Sequence, residues 1–251
     1  MRVSRLFLAL ACSLAAHVAA AADLKVLSAG AFKPVLVALQ PAFEQRTGHR
    51  LVIENDTAGG LQKRVAAGEA FDVVFSSRDS LRAMSQAGRL ASEPPTQVAR
   101  VGIGIAVRKG APLPDIGSVD AFRKLLMDAR SVAYIDPAAG GSSGIYLDRL
   151  FEGWGIAPQV RAKAVLVPGG LVAARVVDGS ADVAIHQISE ILAVPDAVLV
   201  GPIPAEIQNY TVYAGAVAAR TAQAAAAREL LAALRSEQGV EILKRKGMEA
   251  P

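Results

Sequence analysis

Cysteine is all but missing from this chain. Of 251 residues only Cys12 carries a thiol. It lies in a segment that reads as a removable leader, so the remainder has no disulfide, no thiolate nucleophile and no cysteine metal site. Histidine is scarce as well. Of three, only His49 and His186 lie beyond the first 22 residues, and they are far apart. No metal and no cofactor are therefore expected. Aromatic residues make up 5%, and past the N-terminus no apolar run approaches the roughly 20 residues of a membrane span. Glycine and proline, 22 and 13 residues, are close to ordinary globular usage, which excludes collagen-like and low-complexity classes. The 27 basic residues against 23 acidic ones are scattered rather than clustered, so nucleic acid is not an expected partner. Neither a G-x-x-x-x-G-K-[ST] loop nor a G-x-G-x-x-G turn after a strand is present.

What is there begins with an address. Residues 1–22 carry a charged start (Arg2, Arg5), an apolar stretch from Leu6 to Ala16, and Ala20-Ala21-Ala22 before Asp23. These are the three parts of a secretory signal, with cleavage expected after Ala22 and a periplasmic destination. A lipoprotein signal at Ala11-Cys12 is the weaker fit, because the apolar stretch before Cys12 is short. Removing Arg2 and Arg5 lowers the formal charge from +4 to +2.

From Asp23 onward, short β-branched runs alternate with helical patterns, which implies an α/β fold with largely parallel sheets. Strands are expected at Leu24–Ser28, Arg50–Glu54, Phe71–Phe75, Val101–Arg108, Ser131–Ile135, Ala164–Val167, Asp182–His186 and Tyr210–Ala218. Helices are expected over Phe32–Arg46, Leu61–Ala67, a segment capped by Asp79 and ending at Gly88, a segment capped by Ser118, Gly144–Trp154, a segment opened by Gly169-Gly170, and two at the C-terminus.

Four small-residue turns sit between a strand and a helix: Ser28-Ala29-Gly30-Ala31, Thr57-Ala58-Gly59-Gly60, Gly140-Gly141-Ser142-Ser143-Gly144 and Pro168-Gly169-Gly170. In a parallel α/β sheet such turns lie at the carboxyl ends of strands, where ligands bind. Each would offer free N–H groups and a positive helix end to an anion. Any one turn is ordinary capping chemistry, and the four together favour an anion cleft. The candidate ligand contacts at and beside these turns are Gly30, Ala31, Phe32, Lys33, Ala58, Gly59, Gly60, Arg78, Ser142, Ser143, Tyr146, Gly169 and Gly170. Singly, Arg78 and Lys33 read as surface ion pairs, Tyr146 as core, and His186 as a hydrogen-bonded strand-end residue.

Several segments together resemble the periplasmic molybdate-binding protein family, the substrate-binding components of ABC importers. They are Val26-Leu27-Ser28-Ala29-Gly30-Ala31-Phe32, Gly59-Gly60-Leu61, Phe71 to Ser77, Asp136-Pro137 with Gly144-Ile145-Tyr146, Gly170 to Asp178 and Gly239 to Gly247. The resemblance implies a type II periplasmic-binding-protein fold, two α/β lobes around a cleft, crossed near Arg100–Arg108 and Ile203–Val217. It divides the chain into the signal (1–22), the first part of lobe 1 (23–104), lobe 2 (105–205) and a return to lobe 1 (206–251). A monomer that works with a membrane permease is implied. The family's pocket serines fall at Ala31 and near Ala58 to Gly60, and its tyrosine at Gln187. With fewer neutral donors for a dehydrated oxyanion, a small organic carboxylate is expected in place of molybdate, held by Gln187, His186 and Ser143.

Two functions follow from the resemblance. The first is a solute-binding protein feeding an importer. The second is an enzyme, because periplasmic aconitate isomerases look like this family. Their allylic proton shift would use His186 as base and Arg78, Lys33 and Ser143 as carboxylate contacts.

Overall fold

Each of two sheets is assembled from strands that arrive in opposite directions. The computed structural model describes residues 21–251. The expected export signal, apart from its last two alanines, lies outside the described residues. The first sheet has the order β2-β1-β3-β10-β4, with β1 (Asp23–Ala29), β2 (Arg50–Asp56), β3 (Val73–Ser77), β4 (Thr96–Val101) and β10 (Thr211–Val217). The second has the order β7-β6-β8-β5-β9, with β5 (Ile103–Arg108), β6 (Val132–Ile135), β7 (Ala164–Val167), β8 (Val183–Gln187) and β9 (Ala197–Pro202). Helices α1 (Lys33–Thr47), α2 (Ala58–Ala66), α3 (Arg78–Gln86), α9 (Ala224–Leu234) and α10 (Glu237–Arg245) belong with the first lobe. In the second are α4 (Val119–Asp128), α5 (Ser142–Gly153), α6 (Ala157–Arg161), α7 (Ala174–Val177) and α8 (Ile188–Ile191). The architecture is α/β with two lobes.

The sheets are mixed rather than parallel throughout. β1 runs parallel to β2 and β3, and β6 runs parallel to β7 and β8. β10 is antiparallel to β3 and β4, and β5 is antiparallel to β8 and β9. The reason is the seam between the lobes. β5 and β10 start there, where their antiparallel neighbours end, so Ile103 faces Gln187 and Tyr213 faces Ser77. The single strand expected over Val101–Arg108 is two strands in different sheets, divided at Gly102. The Gln208 side chain fixes that division. Its amide accepts from the Ile103 N–H at 2.7 Å and donates to the Ile103 carbonyl at 2.9 Å, as a neighbouring strand would.

Alternation along the second sheet sorts side chains by size. Val132, Tyr134, Val183, Ile185, Ile103 and Ile105 meet Phe122, Leu147 and Phe151 on one face. Ala106, Ala133 and Ala184 meet Val172, Val176 and Ile191 on the other. Small residues let the short helices α7 and α8 lie close to the sheet, and α8 follows β8 directly. β9 escapes the sequence pattern because Ala197–Pro202 is half-buried along its length, with no apolar alternation.

Two caps differ from expectation. Ser77, not Asp79, caps α3, its hydroxyl accepting from the Ser80 N–H. Gly169-Gly170 opens no helix directly. Gly170 turns at φ +85° and α7 starts only at Ala174. Ser118 does cap α4. Pro41 sits inside an unbroken α1.

Phe151 is fully buried and packs edge-on to Tyr134 with ring centroids 5.7 Å apart. Phe151→Ala is expected to lower unfolding stability by about 3–5 kcal/mol, read from urea denaturation. A loss below about 1 kcal/mol would show that the second lobe closes over the void.

Candidate functional site

The ends of β1, β2, β6, β8 and β10 converge on one cleft between the lobes. Its inner part, a narrow space of about 30 Å³, is lined by Gly30, Ala31, Asp56, Thr57, Ala58, Ser142, Ser143, His186, Gln187, Glu190 and Tyr213 among others. The lobes meet across it. Thr57 caps α2 by accepting from the Gly60 N–H at 2.9 Å, and its hydroxyl donates to the Ala139 carbonyl of the other lobe. The Gly59 N–H donates to the Gly140 carbonyl at 3.1 Å. A Cβ on Gly59 would stand 2.9 Å from the Gly140 Cα, so this contact needs glycine. Further in, the Ser189 hydroxyl donates to the Ala31 carbonyl at 2.8 Å, and the Gln187 amide donates to Thr211 Oγ1 at 2.9 Å.

The floor of the cleft holds two titratable groups. β8 ends at Gln187 and α8 begins with Ile188, so His186 and Glu190 lie on either side of a strand-to-helix junction. His186 Nε2 is 3.3 Å from Glu190 Oε2, with the side chains 3% and 8% exposed. Burial pushes the imidazole down to about 3 and the carboxyl up to about 8. Both groups are therefore neutral at pH 7, an unprotonated imidazole beside a protonated carboxyl. His186 Nδ1 and Gln187 Oε1 are buried without a hydrogen-bond partner among the described residues. Glu190 Oε1 occupies the space a Gly30 side chain would need, 2.5 Å from a Cβ placed there. The Tyr213 phenol faces the same cleft. Burial raises its pKa most, the Glu190 carboxyl adds to that, and the Ser142 side chain opposes it. No group of three or more His, Cys, Asp or Glu able to hold a metal occurs among the described residues.

A larger outer cavity adjoins the inner one, sharing Ala58 and Ser142 with it. Gly59, Arg78 and Tyr146 line this outer part. Thus Gly30, Ala31, Ala58, Ser142, Ser143, Gly170, His186 and Gln187 line the inner cavity. Four expected contacts line neither. Phe32 is a core residue, stacked on Phe75 at 5.0 Å. The Lys33 ammonium donates to the Asn55 amide oxygen, 2.8 Å away. Gly60 sits over the Asp56 carboxylate. Gly169 is exposed, with open space where a side chain would be. Sequence reasoning gave no role to Glu190 or Tyr213. Glu190 is four residues after His186, a spacing with meaning only if a helix starts between them. Tyr213 comes from a distant strand, so a phenol reaches this cleft although Gln187 holds the position expected for one.

The sequence profile of the bacterial extracellular solute-binding proteins matches residues 24–249. The chain belongs to that family. A similar solute-binding-protein fold is seen in the periplasmic molybdate-binding protein of Azotobacter vinelandii, at a TM-score of 0.78 and 22% identity, over 91% of this chain and all but 1% of that one, 99% being covered. The sulfate-binding protein SubI of Mycobacterium tuberculosis H37Rv gives a TM-score of 0.72 and 19% identity, covering 91% of this chain and 87% of that one. In sequence, an aconitate isomerase from Pseudomonas sp is 36% identical over 232 residues, 90% of this chain and 87% of that protein.

Two outcomes test this geometry. Gly59→Ala is expected to prop the cleft open, giving a larger radius of gyration by small-angle scattering than the wild type in the same buffer. The helix itself should not weaken, since alanine is the better helix former by about 1 kcal/mol. An equal radius would show that the lobes absorb the methyl. The second concerns pH. Glu190 keeps its proton in the folded state up to about 8 but loses it near the ordinary value of 4.5 when unfolded. Above the unfolded histidine value of 6.5, the folded state alone holds the extra proton, so stability falls as pH rises from 6.5 toward 8. Below 6.5 the unfolded His186 takes up a proton and offsets this. Glu190→Gln is expected to flatten the fall in thermal midpoint between pH 6.5 and 8, and an unchanged slope would rule out Glu190 as its source.

Proposed function

We propose that this protein is a periplasmic isomerase of an unsaturated tricarboxylate, interconverting cis- and trans-aconitate. The observation that carries the reading is the His186–Glu190 pair, an acceptor and a donor of one proton each, held side by side in the cleft and shielded from water. The similarity to an aconitate isomerase along nearly the whole chain supports it.

The reaction is an allylic shift. A proton leaves the methylene carbon, the electron pair spreads over three carbons and their carboxylates, and a proton returns to the former vinyl carbon. The double bond moves by one position, and its geometry is reset. Under this reading the neutral His186 imidazole accepts the methylene proton and the protonated Glu190 supplies one to the other end. The imidazolium and carboxylate so formed are 3.3 Å apart, and transfer of one proton between them restores the starting pair. Nothing is consumed and no cofactor is required. Desolvation, which keeps both groups neutral in the resting site, also favours that return transfer. Interlobe closure at Gly59 and Gly140 excludes water that would quench the carbanion.

Proton NMR of aconitate in D2O with the purified protein tests the reading. Wild type is expected to interconvert the isomers and to wash deuterium into the methylene position. His186→Gln and Glu190→Gln should each lower turnover by roughly 10²–10⁴. A second reading draws on the fold shared with molybdate- and sulfate-binding proteins, a receptor that delivers a small anion to an importer permease. No isomer exchange over hours, with tight ligand binding and compaction, would select that receptor and reject the enzyme.

A further inference from the structure

A polycarboxylate brings more negative charge than the inner cavity can neutralise. Its lining includes no lysine or arginine, and it includes the carboxyls of Asp56 and Glu190. Uncompensated charge in such a place is costly. Counter-charge must come from where the cleft continues. The outer cavity shares Ala58 and Ser142 with the inner one and is lined by two guanidinium groups, those of Arg78 and Arg149.

We propose that Arg78 and Arg149 form a carboxylate clamp at the outer end of the cleft, one arginine from each lobe. They would take the terminal carboxylates of a di- or tricarboxylate whose other end lies at His186 and Glu190. The proposal rests on the isomerase reading for the position of the reacting end, but the clamp itself requires only a polycarboxylate ligand.

Three observations support it. First, the two arginines approach from opposite lobes. Arg78 is the first residue of α3, where β3 of the first sheet ends, and Arg149 lies in α5 of the second lobe. Sequence gave no hint of Arg149, which sits six residues after Ser143 and faces the cavity through the fold of α5 alone. Second, neither makes an ion pair or hydrogen bond among the described residues, whereas Arg64, Arg161 and Arg228 are each tied to carboxylates. The one acidic side chain lining the outer cavity, Asp79, is 2.8 Å from Arg82. Third, uncharged amides share the cavity with the guanidiniums. Gln62 and Asn209 line the same cavity and complete a set of donors. An arginine presents a planar fork matched to a carboxylate, and a pair of them distinguishes a polycarboxylate from a monocarboxylate by count of charges. Because one fork comes from each lobe, a ligand held by both favours the closed form.

The test uses tricarballylate, the saturated tricarboxylate, which binds without an allylic system to react. Calorimetry on the full protein is expected to show Arg78→Met and Arg149→Met each weakening it by roughly tenfold to a hundredfold. Lys63→Met removes an exposed cation of α2 that does not line the cavity, and it should change affinity less than about twofold, since exposed charges are screened. Both arginines are exposed, so the ligand-free thermal midpoint should be the same in all variants. In turnover the arginine variants should raise KM far more than they lower kcat. Tricarballylate affinity unchanged in both arginine variants would overturn the clamp, as would no binding to wild type at about 10 mM. An equal loss in Lys63→Met would also overturn it, by assigning the effect to overall charge. Absence of aconitate turnover with the arginine dependence intact would reject the isomerase and leave the clamp standing.

Discussion

At the seam between the lobes, a carboxyl and an imidazole are held out of water together, and burial drives both to their uncharged forms. Much of the surrounding structure serves that one constraint. β8 must end and α8 must begin within one residue for His186 and Glu190 to face each other. Gly30 must lack a side chain because the Glu190 carboxyl occupies its place. Small residues on the inner face of the second sheet allow α8 to lie close enough for this to happen.

The lobes touch across the cleft largely through main-chain groups. Thr57 spends one hydroxyl on two tasks, capping α2 and bonding the opposite lobe, while Gly59 and Gly140 approach to a distance that excludes any side chain. Because the contact is made of backbone groups, it is specific in position and indifferent to charge. The same two segments border the outer cavity, so closing over the acid–base pair also shapes the space where a ligand's distal groups would lie.

The fold is shared with proteins whose names tell of molybdate and sulfate binding. A fold of this kind supplies a cleft but does not fix the chemistry within it. This cleft holds a protonated carboxyl beside a neutral imidazole, with no lysine or arginine among the described residues that line its inner part. A bare oxyanion gains little from such a floor, whereas a carbon acid meets both a proton acceptor and a proton donor. Under the proposed reading, the cationic groups are displaced outward to Arg78 and Arg149, where they can bind carboxylates without pairing with Glu190.

Local pattern sufficed for the α/β class, for most strands and for the turns after β1, β2 and β6, because strand alternation, helix caps and small-residue turns are written in consecutive residues. It also marked Ser143, which lies in one of those turns, whereas Gln187 and with it His186 came from the resemblance to the molybdate-binding family. The resemblance put a crossing between lobes near Arg100–Arg108, but the break into two strands at Gly102 was not legible, since Val101 to Arg108 is one apolar run whichever sheet each half joins. Nor was β9, half-buried and without alternation. Glu190, Tyr213 and Arg149 gain meaning only from what stands opposite them. Spacing along the chain carries no record of a neighbour brought by another lobe, and burial, which sets the protonation of His186 and Glu190, is a property of the packed molecule alone.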